Sequence, residues 1–561
     1  MRFPTCQIKS CPIGKRTLPR ALASVMLGAA CYGRAERLFV AMVETDNYLS
    51  AVYGMSAFSR SAELPIEPDS VEERFAAILA LPSFAGVASR ETLRVVQTVD
   101  PALPLSEENP CNVALVPLAD PGTTVQVFFR DTYASSTPLE KATLFGSPSR
   151  TNLAPQVAAT LCGKHLMVSR SPAALDWAWE NRASLIGAPP QTSGATFRAL
   201  VNPQRIADLS AKHTAFAASV FNTARFLKDF ETLSIDVNVD GQALTAILRG
   251  TPKPDTPLDK IVGARLLPDG TLWNAIPDNA FYAYAGASGP ERHWQAYRGT
   301  AELPVINPAR SMLPPQAFSG DRALYLTLSG SRRGLRLVQI EPVKDRDAVK
   351  QAIRKLHTAS RGDGIVLRRG PPRQSGGVEI ETYSVSVTPA ASQNSTNAVQ
   401  SASLLNTILA LFLKHAALET ALVNDALITV VGSPQSFSRD LTADLFAAKP
   451  MPLHRMLHTQ SRALSAEDMA IGGKFRASAL LRHVVTMMPD IKPEQARRFP
   501  AEGDGAFMGL CIGRQRGLST AARFSANEIA ALQRANRDGR KVLQEMLFQM
   551  FARQMMETPR P

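Results

Sequence analysis

A chain of 561 residues with 45% hydrophobic and 20% charged side chains has the composition of a folded globular protein, long enough for roughly two to four domains. The formal charge of +13 invites a nucleic-acid reading, but the first 35 residues hold Arg2, Lys9, Lys15, Arg16, Arg20 and Arg34 and no acid, so the remainder carries only +7. With the leader set aside, the net charge is no longer a pointer to nucleic acid, and none is expected as a partner.

The leader is basic first and apolar second, with Lys15, Arg16 and Arg20 ahead of ALASVMLGAAC (Ala21 to Cys31) and a small-x-small site at Gly33-Arg34-Ala35. This is the order of a secretory signal peptide over 1–35. An ordinary N-terminal helix and a lipoprotein attached at Cys31 are the alternatives; the second is weakened by Gly28, which stands where a large aliphatic residue is usual. No later segment reaches the roughly 18 uncharged apolar residues of a membrane span. The longest apolar run, Leu404 to Leu413, stops at Lys414. Cleavage would leave Cys111, Cys162 and Cys511, too few for a disulfide framework; they are expected as buried thiols, with Cys111 and Cys162 able to pair only if adjacent strands bring them together.

Six segments then recur in the same order, which predicts a tandem duplication of one α+β unit. RLFVAM (Arg37 to Met42) and AELPIEP (Ala62 to Pro68) correspond to NAFYAY (Asn279 to Tyr284) and AELPVINP (Ala301 to Pro308). After Pro68, an extra helix capped by Ser70 and Glu73 belongs to the first half alone. NVALVPL, a turn at Asp120-Pro121-Gly122 and TVQVFF match ALYLTL, a turn at Ser329-Gly330-Ser331 and LRLVQI, each a strand-turn-strand with one face buried. HLMVSRSPAALDWAW (His165 to Trp179) matches ALITVVGSPQSFSRDL (Ala426 to Leu441), with Ser171 and Ser433 as N-caps ahead of Pro172 and Pro434. TFRALVNPQRIADL (Thr196 to Leu209) matches KFRASALLRHVVTM (Lys474 to Met487), and each half closes on a hairpin, turning at Asp240-Gly241 and near Gly517.

A polar stretch from Arg368 to Thr396, specific to the second half, reads as loops around a strand at Val378 to Val387. The last amphipathic stretch opens at Ser525 and Glu528 and carries Val542, Leu543, Met546, Leu547, Met550 and Phe551 on one face, which predicts a helix docked over the second sheet. The domain plan is therefore a signal peptide at 1–35, a first repeat at 36–270, a second at 271–541, and a C-terminal helix and tail at 542–561.

Charge divides unequally. Residues 36–322 hold 24 basic and 29 acidic side chains, whereas 323–561 carry +12, concentrated in Arg332, Arg333, Arg336, Lys344, Arg346, Lys350, Arg354, Lys355, Arg361, Arg368, Arg369 and Arg373. Outside the cytoplasm a basic second lobe implies anionic lipid, acidic glycan or an acidic envelope protein as partner, or else a plainly solvated surface.

Catalytic signatures are missing from the sequence. His454 and His458 lie one helical turn apart, but Arg455 stands where a zinc peptidase needs glutamate. There is no G-x-S-x-G elbow, P-loop or G-x-G-x-x-G, and no catalytic, cofactor-binding or metal residue is assigned. Arg361-Gly362-Asp363, Asn394-Ser395-Thr396 and Glu502-Gly503-Asp504-Gly505 read as loops.

The order of paired strands, the segment Ala275-Ile276-Pro277-Asp278-Asn279-Ala280 ahead of a strand and turns such as Ser171-Pro172 resemble a loosely defined group of large exported proteins of planctomycete and verrucomicrobial bacteria. The likeness spreads over most of 37–541 through short motifs. It implies an exported α+β protein; no activity is attached to the group, so no site residue is carried over, and the expected location is the periplasm or outer envelope. The sequence favours a non-catalytic two-lobed binding or scaffold protein, with a hydrolase of glycans, peptides or lipids as the alternative.

Overall fold

A computed structural model describes residues 41–64, 70–98, 112–120, 135–146, 157–187, 195–204, 228–263, 276–277, 279–286, 315–319, 321–328, 334–355, 358–360, 365–387, 416–437, 469–487, 505–512 and 517–535, with six single positions besides: 125, 129, 494, 503, 537 and 538. The chain is mixed α and β with antiparallel sheets and few helices. It divides into two compact units, Met1–Lys253 with Arg523–Gln533, and Pro254–Ala522 with Arg534–Pro561.

The first unit contains β1 (Ala41–Thr45), β2 (Leu93–Gln97), β3 (Asn112–Pro117), β4 (Ser135–Pro138), β5 (Thr143–Gly146), β6 (Val157–Cys162), β7 (His165–Ser169), β8 (Phe197–Val201), β9 (Phe230–Val239) and β10 (Ala243–Pro252). Their order across the sheet is β4-β5-β6-β7-β3-β2-β1-β8-β9-β10, each neighbour antiparallel. Helices α1 (Tyr48–Ser61) and α2 (Ser70–Ile78) join one core with Leu93, Ala114, Val116, Ala159 and Val168. The alternate residues Met42, Val96, Val113, Leu115 and Met167 form a second core with α3 (Pro172–Glu180) and α4 (Arg182–Gly187). The sheet is thus covered on both faces, not on one as the alternation suggested. Strands buried on both faces lose the polar half of their pattern, and β3 is buried at five consecutive positions.

The second unit holds β11 (Tyr282–Gly286), β12 (Arg322–Leu328), β13 (Leu335–Pro342), β14 (Thr358–Ser360), β15 (Ile365–Arg369), β16 (Arg373–Ser375), β17 (Val378–Val387), β18 (Ala417–Val423), β19 (Ala426–Gly432), β20 (Met469–Phe475) and β21 (Ala506–Ile512). The order is β14-β15-β17-β18-β19-β13-β12-β11-β20-β21, again antiparallel throughout, with β16 folded back on β17. Its helices include α5 (Pro257–Gly263), α6 (Arg346–Lys355) and α7 (Ala477–Met487). Val349 and Ile353 of α6 pack with Phe318, Val343 and Leu427. The last strand, β22 (Leu518–Ser525), leads into a helix, α8, over 526–535.

Several expectations hold at residue level. Ser171 Oγ accepts the Ala174 amide at 3.2 Å and Pro172 opens α3. Asp240 Oδ1 closes the β9–β10 turn on the amides of Gln242 and Ala243, both at 2.7 Å. The inserted strand at Val378 to Val387 is β17.

Others are corrected. Val125 and Phe129, read as part of a strand, are helical; their spacing of four puts both against the first core. Ser433-Pro434 opens a turn, with Gln435 at φ +70 and the Ser436 amide donating to Ser433 O at 3.0 Å. TFRALV is strand β8 with Pro203 and Gln204 helical after it, and KFRASALL is the end of β20 and the start of α7; both segments run from strand into helix, with the boundary displaced along the match. The stretch opened by Ser525 and Glu528 starts on the first unit, and its face from Val542 to Phe551 lies outside the described residues. Its Ala526 belongs to the first unit's core, Ile529 packs there too, and the Ala526 amide donates to Gln242 O at 2.7 Å. The helix α1, capped by Asn47, was not anticipated. The leader, Cys111 and residues 542–561 lie outside the described residues.

Candidate functional site

Antiparallel register turns isolated charges into a row on one sheet face of the first unit. Arg94 faces Glu44, Glu44 faces Arg198, and Arg198 faces Asp236 across β2, β1, β8 and β9. Arg94 Nε donates to Glu44 Oε1 at 2.7 Å, and Arg94 Nη1 also reaches the carbonyls of Leu185 and Ile186 at 3.0 and 3.1 Å, tying down the end of α4. Asp236 lies 3.6 Å from Arg198 and pairs with Arg249 of β10. Alternating sign makes each buried charge the counter-ion of its neighbour, which fixes strand register. These groups are consumed by the fold.

The second unit uses part of its surplus in the same way. Arg369 forms a two-pronged contact with Glu381 at 2.9 and 2.6 Å and donates to Arg354 O at the end of α6. The hydrogen bond to Glu381 raises the Arg369 pKa further. Arg373 pairs with the buried Glu419 at 2.9 Å and donates to Phe437 O at 2.5 Å. Glu419 also accepts the amides of Gln435 and Phe437 at 3.1 and 2.6 Å. Burial, then Glu381, pushes the pKa of the neighbouring Tyr383 hydroxyl up to about 12, and that hydroxyl donates to Ile353 O at 3.4 Å.

What stays on the outside is a stripe on α6. Arg346, Lys350 and Arg354 recur every four residues and are exposed, while Val349 and Ile353 are buried. Lys344 and Arg368 are exposed as well. Asp345 Oδ1 caps the helix at the Ala348 amide, 2.9 Å, and Arg346 Nη1 anchors to Asn424 O at 2.6 Å. Of the twelve basic residues that the sequence singled out, Arg369 and Arg373 are thus structural and Arg346, Lys350 and Arg354 form a surface; Arg332, Arg333 and Arg361 lie outside the described residues. Arg336 donates to Ser436 O at 3.3 Å.

His454, His458, Arg361 to Asp363 and Asn394 to Thr396 also lie outside the described residues. Gly503, in the acidic run, donates its amide to Ser478 Oγ at 3.0 Å. Among the described residues, no three His, Cys, Asp or Glu side chains gather as for a metal, and no helix is long and apolar enough to cross a membrane.

Sequence reasoning treated Cys162 as a buried thiol or as a partner for Cys111. Cys162 carries a free thiol and faces His165 across the two-residue turn Gly163-Lys164. His165 in turn faces Pro117, at the end of β3 opposite to Asn112, the neighbour of Cys111. Cys111 itself lies outside the described residues. Burial, then Lys164, lowers the His165 pKa. The signal was legible as Cys-x-x-His spanning a hairpin turn.

Compared with protein-family models, with curated proteins and with solved structures, the chain finds no match in any of the three.

Proposed function

We propose that the chain is a non-catalytic exported envelope protein built from two copies of one α+β unit, which holds an anionic ligand on the exposed face of α6. The observation that carries this reading is the Arg346, Lys350, Arg354 stripe, set on a helix whose other face is core. Cations spaced at helical period on a rigid element present fixed charge to a lipid headgroup, an acidic glycan or an acidic envelope protein.

Duplication is supported by strand order. Taking β11 for β1 and continuing along the chain, the second sheet repeats the first, with β17 and its hairpin partner β16 added between the counterparts of β5 and β6. That addition falls in the polar stretch specific to the second half. Export, and kinship with the planctomycete and verrucomicrobial group, rest on the leader and the short motifs.

The test is thermal unfolding of residues 36–561 with anionic vesicles, sulfated glycans, peptidoglycan fragments and acidic peptides, at low and high salt. A rise in midpoint that shrinks in high salt and disappears in Lys350→Glu/Arg354→Glu is expected; a shift of full size in that variant overturns the reading.

One observation favours the hydrolase alternative. Asp229 is buried and its Oδ2 lacks a hydrogen-bond partner among the described residues, unlike Glu44, Glu381 and Glu419, which arginines hold. Turnover of a glycan, peptide or ester that Asp229→Asn abolishes in a folded protein would establish it.

A further inference from the structure

We propose that the β6–β7 hairpin is a binding site for a soft monovalent metal ion, copper(I), with Cys162, His165 and Met167 as its donors. Cys162 and His165 are direct cross-strand partners, so their side chains leave the same face of the sheet. Met167 is two residues further along β7 and shares that face. Cys162 and Met167 pack in the same apolar cluster, with Trp177 and Trp179 at its margin.

Directly opposed side chains stand with Cβ atoms about 4.5–5.5 Å apart. Bonds of the length zinc makes, about 2.3 Å to a thiolate sulfur and about 2.0 Å to an imidazole nitrogen, show that one metal ion can bridge that gap. Thiolate, thioether and imidazole together form a soft set; calcium and magnesium prefer oxygen, and zinc prefers a full tetrahedron of N and S donors without thioether. The turn leaves the site accessible. Gly163 adopts φ +61, and a Cβ there would meet nothing within 4 Å, so the hairpin tip opens outward. Cys162 and His165 are half-buried and Met167 is fully buried, which places the entry of the ion at the tip and its thioether contact inside. Binding exchanges the thiol proton of Cys162, released to solvent, for a sulfur–metal bond; no electron is transferred.

The test is anaerobic titration of copper(I) into the full chain against a chromophoric copper(I) chelator. Because five other cysteines are present, the parent for the series has Cys6, Cys11, Cys31, Cys111 and Cys511 replaced by serine. This parent is expected to take one copper(I) per chain, Cys162→Ser to lose it, and His165→Asn and Met167→Leu each to weaken it at least tenfold. X-ray absorption of the loaded parent, which needs no further variant, is expected to report both sulfur and nitrogen neighbours. A parent that fails to compete with the chelator, equal affinity in His165→Asn and Met167→Leu, or a sulfur-only metal environment overturns the site.

Discussion

Glu44 and Arg94 face one another across β1 and β2 at 2.7 Å, with side-chain exposures of only 4% and 6%. A buried pair of this kind contributes little net stability over an apolar pair, yet removing one partner strands the other. Glu44→Ala is therefore expected to cost about 3–5 kcal/mol. The double variant Glu44→Leu/Arg94→Met removes both charges and sacrifices the two bonds to Leu185 and Ile186, each worth about 0.5–1.5 kcal/mol. It should be less destabilised than the single variant. Urea unfolding decides this: a double variant weaker than Glu44→Ala means the contacts to α4 outweigh the pairing.

Gly54 sits within α1 where alanine would ordinarily gain about 1 kcal/mol of helix propensity. Here a Cβ would lie 2.5 Å from the Val239 carbonyl oxygen, a backbone atom that cannot rotate away. Overpacking typically costs 1–3 kcal/mol, so Gly54→Ala is expected to destabilise on balance. A variant that unfolds at a higher urea concentration than the native chain would show that α1 shifts freely off β9.

How much of this was legible is seen by comparing Ser171 with Ser433. Both follow a strand and precede proline, and both read as helix caps. After Pro172 come Ala173, Ala174 and Leu175, and the helix forms. After Pro434 the chain meets Glu419, sixteen residues back on β18, whose carboxylate binds the Gln435 and Phe437 amides and holds a turn instead. A contact of that kind has no trace in local propensity. β17, by contrast, was visible to the residue because its apolar alternation is bounded by polar turns. The α6 stripe was visible as composition, but its separation from Arg369 and Arg373 required knowing which arginines face Glu381 and Glu419.

Tyr383 supplies an alkaline signature. Its folded pKa of about 12 exceeds the ordinary 10.0 because burial and the neighbouring Glu381 disfavour phenolate. Between these values the unfolded chain releases a proton that the folded chain keeps, so the contribution is complete below pH 10.0 and fades as pH approaches about 12. Tyr383→Phe should unfold less steeply with pH across that window. Ultraviolet titration should show one tyrosinate fewer among those appearing last; an unchanged profile would mean that Tyr383 ionises with the exposed tyrosines.

The Glu419 turn makes the opposite kind of prediction, a gain. Gln435 is held at φ +70, a left-handed conformation that costs a side-chain-bearing residue roughly 1–2 kcal/mol. Glycine removes that cost but adds unfolded-state entropy of about 0.4–1 kcal/mol. The first term is the larger, and the hydrogen bond to Glu419 comes from the Gln435 amide, which glycine keeps. Gln435→Gly is thus expected to stabilise the chain by up to about 1 kcal/mol, whereas Glu419→Ala, which leaves Arg373 and two amides without their acceptor, should destabilise it by more than that. If Gln435→Gly instead weakens the fold in urea, the glutamine side chain is contributing more than its backbone strain costs.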